Sequence, residues 1–329
     1  MKPLRIERVV RVIETLSDGQ FHSGEELGAA LGVSRTAISQ YIKDVQKLGI
    51  DVFRVTGKGY RLSSPLQLLS LPELQELLEE YQEDSTNVAL ERIVTSTNDR
   101  VKHGIKYGIS SGHALLAEAQ TQGRGRRGKR WLSPFASNLY MSMYWRLEQG
   151  MSAAMGLSLV IGTVVAELLS ELGVYDVQLK WPNDVIIHDK KIAGVLIELE
   201  GQALDTAHVV IGVGLNIAIP SYLSDKIDQP WTDLSQLLPT PIDRNRLAAL
   251  LIMKTRAALR EYGQHGLAAF TARWNRLDRL AKKPVCVIMG DTVIEGIAEG
   301  IDDTGALLLS RNGKLERFHA GEVSLRYDA

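Results

Sequence analysis

Residues 123–130 read Gly-Arg-Gly-Arg-Arg-Gly-Lys-Arg and combine three glycines with five cations. Arginine holds carboxylates and phosphates through paired hydrogen bonds. Glycine lets backbone N–H groups come close to a ligand and lets a loop move. Trp131 follows directly, and an indole can stack on a purine ring. The stretch therefore suits a ligand that carries a carboxylate, a phosphate and an adenine, a description that fits an acyl-adenylate.

The same stretch matches two nucleotide-binding patterns, and its context disfavours both. Residues 123–128 satisfy G-x-G-x-x-G, which requires a helix to follow. Pro134 opposes a helix there, and strand-like sequence resumes at Asn138. A Walker A loop nearly fits, but Arg130 stands where the Ser or Thr that holds magnesium should be. A flexible nucleic-acid patch and a merely solvated loop stay open from these residues alone.

Four further groups could complete a site, and each also has an ordinary structural explanation. Residues 96–98, Ser-Thr-Asn, could line a polar pocket or cap a helix. Residues 180–184, Lys-Trp-Pro-Asn-Asp, have turn composition but also suit phosphate and Mg²⁺. Lys191 precedes an apolar run, as a solvated turn residue or as a charge directed into a pocket. Residues 212–216, Gly-Val-Gly-Leu-Asn, indicate either a close backbone approach or a plain turn.

The composition narrows the class of protein. The chain has 329 residues, 45% of them hydrophobic, with a net charge of −1 and one cysteine. This length predicts two or three domains, and the balanced charge means that any basic site is local. A single cysteine excludes an internal disulfide and a cysteine zinc cluster. No apolar run reaches membrane-spanning length and the charged start is unlike a signal peptide, so we expect a cytoplasmic protein without a membrane partner.

Residues 1–64 predict a winged helix-turn-helix. A Ser-x-x-Glu capping box begins at Ser23 and Gly32 ends the helix that follows it. Residues 51–62 alternate around Gly-Lys-Gly as a β-hairpin wing. Apolar residues at helical spacing indicate three helices, over 6–16, 24–31 and 35–48.

The polar face of the third helix is suited to DNA. A three-helix packing motif with a solvated face is the alternative, but the cap, the short turn, the polar face and the wing together favour DNA binding. Residues 1–64 carry ten Lys/Arg against seven Asp/Glu, which supports it mildly. The side chains expected to meet base edges and phosphates are Arg35, Thr36, Ser39, Gln40, Lys43 and Lys58.

The rest of the chain predicts an α+β multidomain protein. Residues 65–87 form a connecting stretch with a short acidic helix over 72–81. Residues 88–280 form a central α+β domain with a mixed sheet and helices on one side. Residues 281–329, with hairpin turns such as Asn-Gly, predict a small SH3-like β-barrel. Strands of the central domain are expected over 114–119, 138–146, 177–180, 185–188, 192–200 and 208–213, and helices over 152–172 and 243–262.

Five motifs follow one another in the order seen in biotin–protein ligases. They are Ser96-Thr97-Asn98, Gln120 with Gly123–Gly128, Lys180–Asp184, Lys191–Gly194 and Gly212–Asn216. The chain resembles this family over essentially its whole length, and its winged helix resembles the bifunctional bacterial type, which also represses biotin-synthesis genes. Residues 220–231 correspond to a loop that orders over the adenylate in that family, without a residue-by-residue match.

The resemblance implies a reaction and its partners. Such enzymes activate biotin with ATP and Mg²⁺ to biotinyl-5′-AMP, then transfer biotin to a lysine of biotin carboxyl carrier protein. The bifunctional type binds operator DNA as a homodimer when it holds the adenylate. Joining a carboxylate to a phosphate brings two anions together, so positioning and electrostatics must dominate and no side-chain nucleophile is needed.

The resemblance also implies roles for individual residues. Biotin and its carboxylate would be surrounded by Ser96, Thr97, Asn98, Gln120, Arg124, Gly125, Arg126 and Lys191. The nucleotide would be contacted by Arg127, Trp131, Lys180, Asn183 and Asn216, with the Trp131 indole stacked on adenine. Lys191, Arg126 and Asp184 would serve the reaction itself, and no residue is assigned as a metal ligand.

Three other functions stay compatible with these residues. A lipoate–protein ligase would share the architecture and the reaction type with another acid. A non-catalytic repressor would sense a ligand without turnover. A nucleic-acid-modifying protein would use the arginine loop on nucleic acid, so that Arg126→Ala would weaken nucleic-acid binding and leave adenylate formation intact.

Overall fold

Three helices and a two-stranded hairpin form the N-terminal region of the computed structural model. The structure describes residues 3–148, 150–200, 206–289, 291–320 and 323–326. The N-terminal elements are α1 (Pro3–Leu16), α2 (Gly24–Leu31), α3 (Arg35–Lys47), β1 (Val52–Val55) and β2 (Gly59–Leu62). Helix α2 begins at the predicted capping box, where Ser23 Oγ accepts from the Glu26 N–H and Glu26 Oε2 accepts from the Ser23 N–H. Gly32 ends it in the left-handed conformation, so the predicted winged helix-turn-helix is confirmed.

A seven-stranded mixed sheet forms the centre of the molecule. Its strands are β3 (Val88–Val94), β4 (Ala114–Gln120), β5 (Asn138–Leu147), β6 (Val177–Lys180), β7 (Asp184–Ile187), β8 (Lys190–Glu200) and β9 (Ala207–Asn216). They lie in the order β3-β4-β5-β9-β8-β7-β6. Strands β3 and β4 are parallel and the other neighbours are antiparallel. The register pairs Asn138 with Asn216 and Gly194 with Gly214, which brings distant motifs side by side.

Helices cover both faces of this sheet. They are α4 (Leu71–Glu80), α5 (Thr97–Lys106), α6 (Leu157–Glu171), α7 (Arg244–His265) and α8 (Ala268–Leu277). Helices α4, α6, α7 and α8 share the main apolar core with Leu116 and Met141 of the sheet. Helix α5 lies on the other face, where its Val101 packs with Leu115 and Tyr144. The prediction that helices cover only one side of the sheet is therefore wrong. Helix α5 was missed because it is largely polar and its narrow apolar stripe gives little signal in the sequence.

The C-terminal region is an antiparallel sheet of five strands, which is the small β domain that the sequence predicts. Its strands are β10 (Pro284–Met289), β11 (Thr292–Ile301), β12 (Leu307–Arg311), β13 (Lys314–Phe318) and β14 (Val323–Arg326), in the order β13-β12-β11-β10-β14. Val287 and Leu309 belong to the same apolar core as the central helices. Trp181 Nε1 donates to the Gly305 carbonyl at 3.2 Å. The turn before β7 is therefore fixed against this domain.

A buried carboxylate holds the connecting stretch against the sheet. Glu118 is fully buried and accepts from the Leu69 N–H at 2.5 Å and from Arg244 at 2.8 Å. Arg92 donates to the Leu69 carbonyl and reaches Glu14 of α1 at 2.9 Å. Removing one partner of a buried ion pair costs about 3–5 kcal/mol. This cluster therefore contributes strongly to holding the connecting stretch at Leu69 against the central sheet, while the Arg92–Glu14 pair, which reaches α1, is partly exposed.

Element boundaries differ from the predictions in a few places. The helix expected over 152–172 begins at Leu157, because Gly156 adopts φ 86° and separates it from a 3₁₀ turn at Met151–Ala154. The sequence pattern did not indicate β3, α5 or α8. Within the described ranges, no helix combines the length and apolar character that a membrane crossing needs.

Candidate active site

A cavity of about 590 Å³ lies where the N-terminus of α5 meets the middle strands β8 and β9. The fold gathers its lining from motifs that are far apart in the chain, from Ser96 to Asn216. Every residue predicted to contact biotin or the nucleotide borders it, namely Ser96, Thr97, Asn98, Gln120, Arg124, Gly125, Arg126, Arg127, Trp131, Lys180, Asn183, Asp184, Lys191 and Asn216.

The glycine–arginine loop, residues 123–131, folds back on itself along one wall. The Gly125 N–H donates to the Lys129 carbonyl at 2.7 Å, and the Trp131 N–H donates to the Gly123 carbonyl at 2.9 Å. A Cβ at Gly123 would lie 2.6 Å from the Trp131 carbonyl oxygen, so this position has no room for a side chain. Strand β5 follows the loop, and the helix required by a dinucleotide-binding turn does not.

Neutral side chains form a hydrogen-bonded chain in one part of the cavity. Gln120 Oε1 accepts from the Thr97 N–H at 2.9 Å, and Gln120 Nε2 donates to Ser133 Oγ at 3.0 Å. Ser142 Oγ lies 2.7 Å from Thr97 Oγ1 and 2.5 Å from Asn98 Oδ1. Because these groups already hold one another, the cavity offers a pre-ordered polar surface.

Helix capping does not explain the Ser-Thr-Asn motif. Ser96 occupies the position before α5, yet its side chain makes no capping hydrogen bond. Ser96, Thr97 and Asn98 are all buried, and they line the cavity. Of the two explanations left open by the sequence, the polar pocket fits this geometry better.

Arg124 is held by two acidic side chains. Its guanidinium donates to the Asp99 carboxylate at 2.7 and 2.5 Å, and to both oxygens of Glu198 at 3.1 Å. The hydrogen bond between Asp99 and Arg124 raises the pKa of Arg124 and lowers the pKa of Asp99. Arg124 thereby ties the loop to α5 and β8, and its contact with biotin stays a prediction.

Another part of the cavity concentrates charge. Lys191 Nζ forms an ion pair with Asp184 Oδ1 at 2.7 Å, although the angles are not those of a hydrogen bond. Burial lowers the pKa of Lys180, an effect that Asp184 opposes. Burial also lowers the pKa of Arg126, which donates to Asn183 Oδ1 at 3.4 Å and to a backbone carbonyl of the C-terminal domain. Partly desolvated cations gathered in one cleft favour an anionic ligand.

The Trp131 indole packs closely against two glycines. A Cβ at Gly214 would lie 2.4 Å from the indole ring, and one at Gly194 would lie 3.1 Å from it. Lys191 Nζ lies 5.3 Å from the ring centroid. The indole Nε1 is buried and has no hydrogen-bond partner within the described part of the chain. Close approach of this ring, rather than turn formation, explains the two glycines.

Three family models match the chain. The Biotin/lipoate A/B protein ligase family matches residues 89–216, the Biotin protein ligase C terminal domain matches 283–326, and an HTH domain matches 8–61. The bifunctional ligase/repressor BirA of Salmonella typhimurium is 49% identical over 96% of each chain. That of Escherichia coli is 47% identical over 96% of this chain and 97% of its own.

The chain belongs to the BirA family of bifunctional ligase/repressors.

A solved structure from the wider ligase family shares the fold. The biotin protein ligase of Aquifex aeolicus, in complex with biotin and ATP, superposes with a TM-score of 0.62 at 28% identity. The match covers 74% of this chain and 99% of the other. The fold predicted from the sequence is therefore confirmed by the structural match to this ligase and by the sequence similarity to the BirA relatives.

The sequence did not predict how one segment borders the pocket. The Lys191 N–H donates to the Pro230 carbonyl and the Thr232 N–H donates to the Lys191 carbonyl, both at 3.0 Å, so the segment forms a bridge beside β8. Its sequence has no periodicity that would reveal this, since the contacts are tertiary. We call residues 219–231 the lid segment; its lining residues are Ile219, Lys226, Ile227, Asp228, Gln229 and Trp231.

The side chains predicted to face DNA lie on the surface of α3 and the wing. Five are exposed and Ser39 is partly exposed. They share one continuous helix and one hairpin tip, and no long-range contact is needed to bring them together. The exposed set is Arg35, Thr36, Gln40, Lys43 and Lys58.

Proposed function

We propose that this protein activates biotin with ATP to biotinyl-5′-AMP and transfers biotin to a lysine of biotin carboxyl carrier protein, as a biotin–[acetyl-CoA-carboxylase] ligase. The observation that carries this proposal is that the lining of one cavity combines a neutral hydrogen-bonded surface with partly buried cations. A polar ring fits the first part, and a carboxylate next to a triphosphate fits the second.

The neutral part would receive the ring of biotin. Ser96, Thr97, Asn98 and Gln120 supply both donors and acceptors there, which a cyclic urea requires. The backbone of Gly125 and the side chains of Lys191 and Arg126 would meet the carboxylate.

The charged part would receive ATP. Lys180 and Arg127 would contact the phosphates, Asn183 and Asn216 would organise the site, and Trp131 would stack on adenine. Asn216 Nδ2 donates to the Thr232 carbonyl at 3.0 Å, so it also fixes the end of the lid segment.

Adenylate formation joins two anions, and the side chains would act through electrostatics. Lys191 and Arg126 would hold the attacking carboxylate near the α-phosphate and stabilise the charge that develops there. Asp184 would orient Lys191 through their 2.7 Å ion pair. A second attack, by the acceptor lysine, would then release AMP, while the closed lid segment keeps water from the anhydride.

Mg²⁺ fits this site as an ion that arrives with the phosphates. Among the described residues, no cluster of three or more His, Cys, Asp or Glu could hold a metal. Mg²⁺ is commonly bound by substrate phosphates with only one or two carboxylates, and Asp184 borders the cavity. When bound with ATP, the ion would screen the phosphate charge.

The N-terminal region would make the protein a repressor of biotin-synthesis genes, with the adenylate as corepressor. Arg35, Thr36, Ser39, Gln40, Lys43 and Lys58 would contact operator DNA. A ligand that orders the lid segment would promote a homodimer, which places two winged helices on a palindromic operator. Sedimentation with biotin and ATP should show increased self-association, and an unchanged monomer would contradict this part. The cytoplasmic location stays a prediction.

Biotin-dependent exchange of pyrophosphate into ATP tests the enzymatic proposal. We expect exchange with biotin and little with lipoate; the matching family model includes ligases for both acids. Exchange with lipoate alone would make the protein a lipoate ligase. Binding of biotin without any exchange would make it a non-catalytic sensor. Normal exchange by Arg126→Ala together with weakened nucleic-acid binding would indicate the nucleic-acid function instead.

A further inference from the structure

Glu198 hydrogen-bonds to Asn98 of the neutral part of the cavity but does not itself line the cavity. It sits on β8 with its side chain 20% exposed. Its carboxylate accepts from Asn98 Nδ2 at 2.6 Å, from Lys102 Nζ at 2.9 Å and from Arg124 at 3.1 Å. Burial disfavours the charged form, but the hydrogen bonds from Lys102, Asn98 and Arg124 outweigh it and keep the pKa of Glu198 below its ordinary value.

An ionised carboxylate can only accept hydrogen bonds. The Asn98 amide must therefore turn its Nδ2 toward Glu198 and its Oδ1 away. That Oδ1 lies 2.5 Å from Ser142 Oγ, and Gly212 leaves room for it, since a Cβ there would also lie 2.5 Å from it. Ser142 must then donate to Asn98, because the amide oxygen can only accept.

The donor–acceptor direction fixed at Asn98 also determines the role of Ser142. Ser142 has one hydroxyl proton, so its donation to Asn98 leaves it as an acceptor toward Thr97 Oγ1, 2.7 Å away. Gln120 is oriented separately, because its Oε1 accepts from the Thr97 backbone N–H and its Nε2 therefore faces Ser133. Glu198 therefore sets the direction of the hydrogen bond between Asn98 and Ser142, whereas the Gln120 amide is oriented by the backbone.

We propose that Glu198 is a positioning residue that fixes Asn98 Oδ1 as an acceptor facing the ring-binding part of the pocket, and thereby selects a ligand ring that donates an N–H there. This inference rests on the proposed function, and biotin, with its two ureido N–H groups, meets the requirement. Glu198 touches no reacting atom; it acts through Asn98. In a Glu198→Gln variant the new amide can donate to Asn98, so the Asn98 amide is free to turn over and present its NH₂ group.

The test compares biotin with an analogue in which one ureido N–H is replaced by a ring oxygen. Wild-type protein should strongly prefer biotin in ATP–pyrophosphate exchange, because a site built around a hydrogen bond rejects a ligand that lacks it. Glu198→Gln should raise the KM for biotin about tenfold, change kcat less, and reduce the preference for biotin over the analogue about tenfold. The KM for ATP should change little.

Asp99→Asn is the matched control, since Asp99 shares the contact with Arg124 but makes no hydrogen bond to Asn98. It should keep the preference for biotin. If Glu198→Gln loses activity but keeps the full preference, or if Asp99→Asn loses the preference equally, Glu198 merely anchors the loop and the inference is wrong.

Two further outcomes keep the test decisive. Should Glu198→Gln fail to fold, Asn98→Ala probes the same contact, because it removes the acceptor that Glu198 orients; an unchanged preference for biotin over the analogue in that variant overturns the inference. Absence of biotin-dependent exchange in the wild-type protein would instead contradict the proposed function, which separates the two failures.

Discussion

The ligand pocket and the DNA-facing helix are built in opposite ways. The pocket collects side chains between Ser96 and Trp231, and its charges are held in pairs such as Lys191 with Asp184. The DNA face takes its side chains from α3, a single helix of 13 residues, and from the wing tip, and Arg35 and Lys43 are exposed. One site is a network formed by the fold, and the other is a surface displayed by it.

This difference predicts how the two regions respond to substitution. A residue in the pocket touches several others, so removing it leaves partners unsatisfied, and the effects are not additive. A residue on the DNA face contacts mainly solvent until DNA binds, so its removal should affect DNA affinity alone. If substitutions in the two regions had the same kind of effect, this difference between the regions would be contradicted.

Lys191→Ala should have the largest effect. It removes a cation from the cavity and leaves Asp184, 22% exposed, without its partner at 2.7 Å. Biotin-dependent pyrophosphate exchange should fall by about 10²–10³-fold in kcat/KM, as for loss of one preorganised stabilising group. Lys190→Ala, at the exposed neighbouring position, is the control and should retain near-normal exchange. A Lys191→Ala enzyme within tenfold of wild type would remove Lys191 from the proposed reaction.

Asp278→Asn should change stability without changing either function, because Asp278 lies outside both regions. Its Oδ1 accepts from the Leu280 N–H at 2.9 Å, while its Oδ2 is buried and has no hydrogen-bond partner in the described part of the chain. Burial raises the pKa of Asp278 to about 6 from 3.8. The folded protein therefore keeps this proton at pH values where the unfolded chain has lost it.

The raised pKa of Asp278 makes the stability of the folded protein depend on pH. Between about pH 4 and 6 the folded state binds more protons at this position, so the free energy of unfolding falls as the pH rises, and it stays lower above pH 6. Asn does not ionise, so the free energy of unfolding of the variant should rise relative to that of the wild type by up to about 3 kcal/mol between pH 4 and pH 7. Denaturant unfolding at both pH values measures this difference. A difference that is constant with pH would show that Asp278 is not the titrating group.

Arg35→Ala should weaken DNA binding by about 1–3 kcal/mol and reduce the salt dependence of binding if Arg35 contacts a phosphate. Pyrophosphate exchange should not change, because the side chain is exposed on α3. Binding to DNA from upstream of the organism's own biotin-synthesis genes can be measured by fluorescence anisotropy. Arg100→Ala removes the same charge from a surface pair with Glu91 on the central domain and should leave DNA affinity unchanged; an equal loss in both variants would indicate a general charge effect.

The same contrast explains what the sequence could predict. The helix-turn-helix follows from local signals, since the capping box at Ser23 and the turn glycine Gly32 act on adjacent residues. Pro134 and the strand-like residues after it were enough to exclude a dinucleotide-binding helix. The site residues were predicted from motifs in the order that the family resemblance supplies, and the structure brings all of them to the border of one cavity, while their individual roles stay predictions.

Tertiary contacts explain what the sequence did not reveal. Glu198 and Asn98 are 100 residues apart, and no local pattern links them. Glu91 and Arg92 interrupt the apolar pattern of β3, and parallel pairing with the buried strand β4 determines that strand. The lid segment is positioned by backbone bonds to Lys191, which only the folded sheet can offer.

Tyr222→Phe should have the smallest effect, and it tests whether the two regions are independent. Tyr222, on the lid segment, donates to the Gly49 carbonyl at 2.6 Å, and Gly49 lies just past the C-terminal end of α3. The segment thus borders the ligand cavity and also touches the DNA-binding domain. Phe removes only the hydroxyl, and one hydrogen bond contributes about 0.5–1.5 kcal/mol.

If this contact couples the regions, the ratio of DNA affinities with and without biotin and ATP should fall by roughly three- to tenfold in Tyr222→Phe. Coupling between two binding sites is reciprocal, so the factor by which DNA changes the affinity for the adenylate should fall by the same amount in this variant. Tyr175→Phe, at a tyrosine that is 83% exposed, controls for the loss of a phenol. An unchanged ratio in Tyr222→Phe would mean that the ligand reaches the DNA face by another route, such as self-association. A lower ratio together with normal exchange activity would show that the Tyr222 hydroxyl carries part of the coupling between ligand binding and DNA binding. The two sites would then differ in how each is built, but they would not be independent of each other.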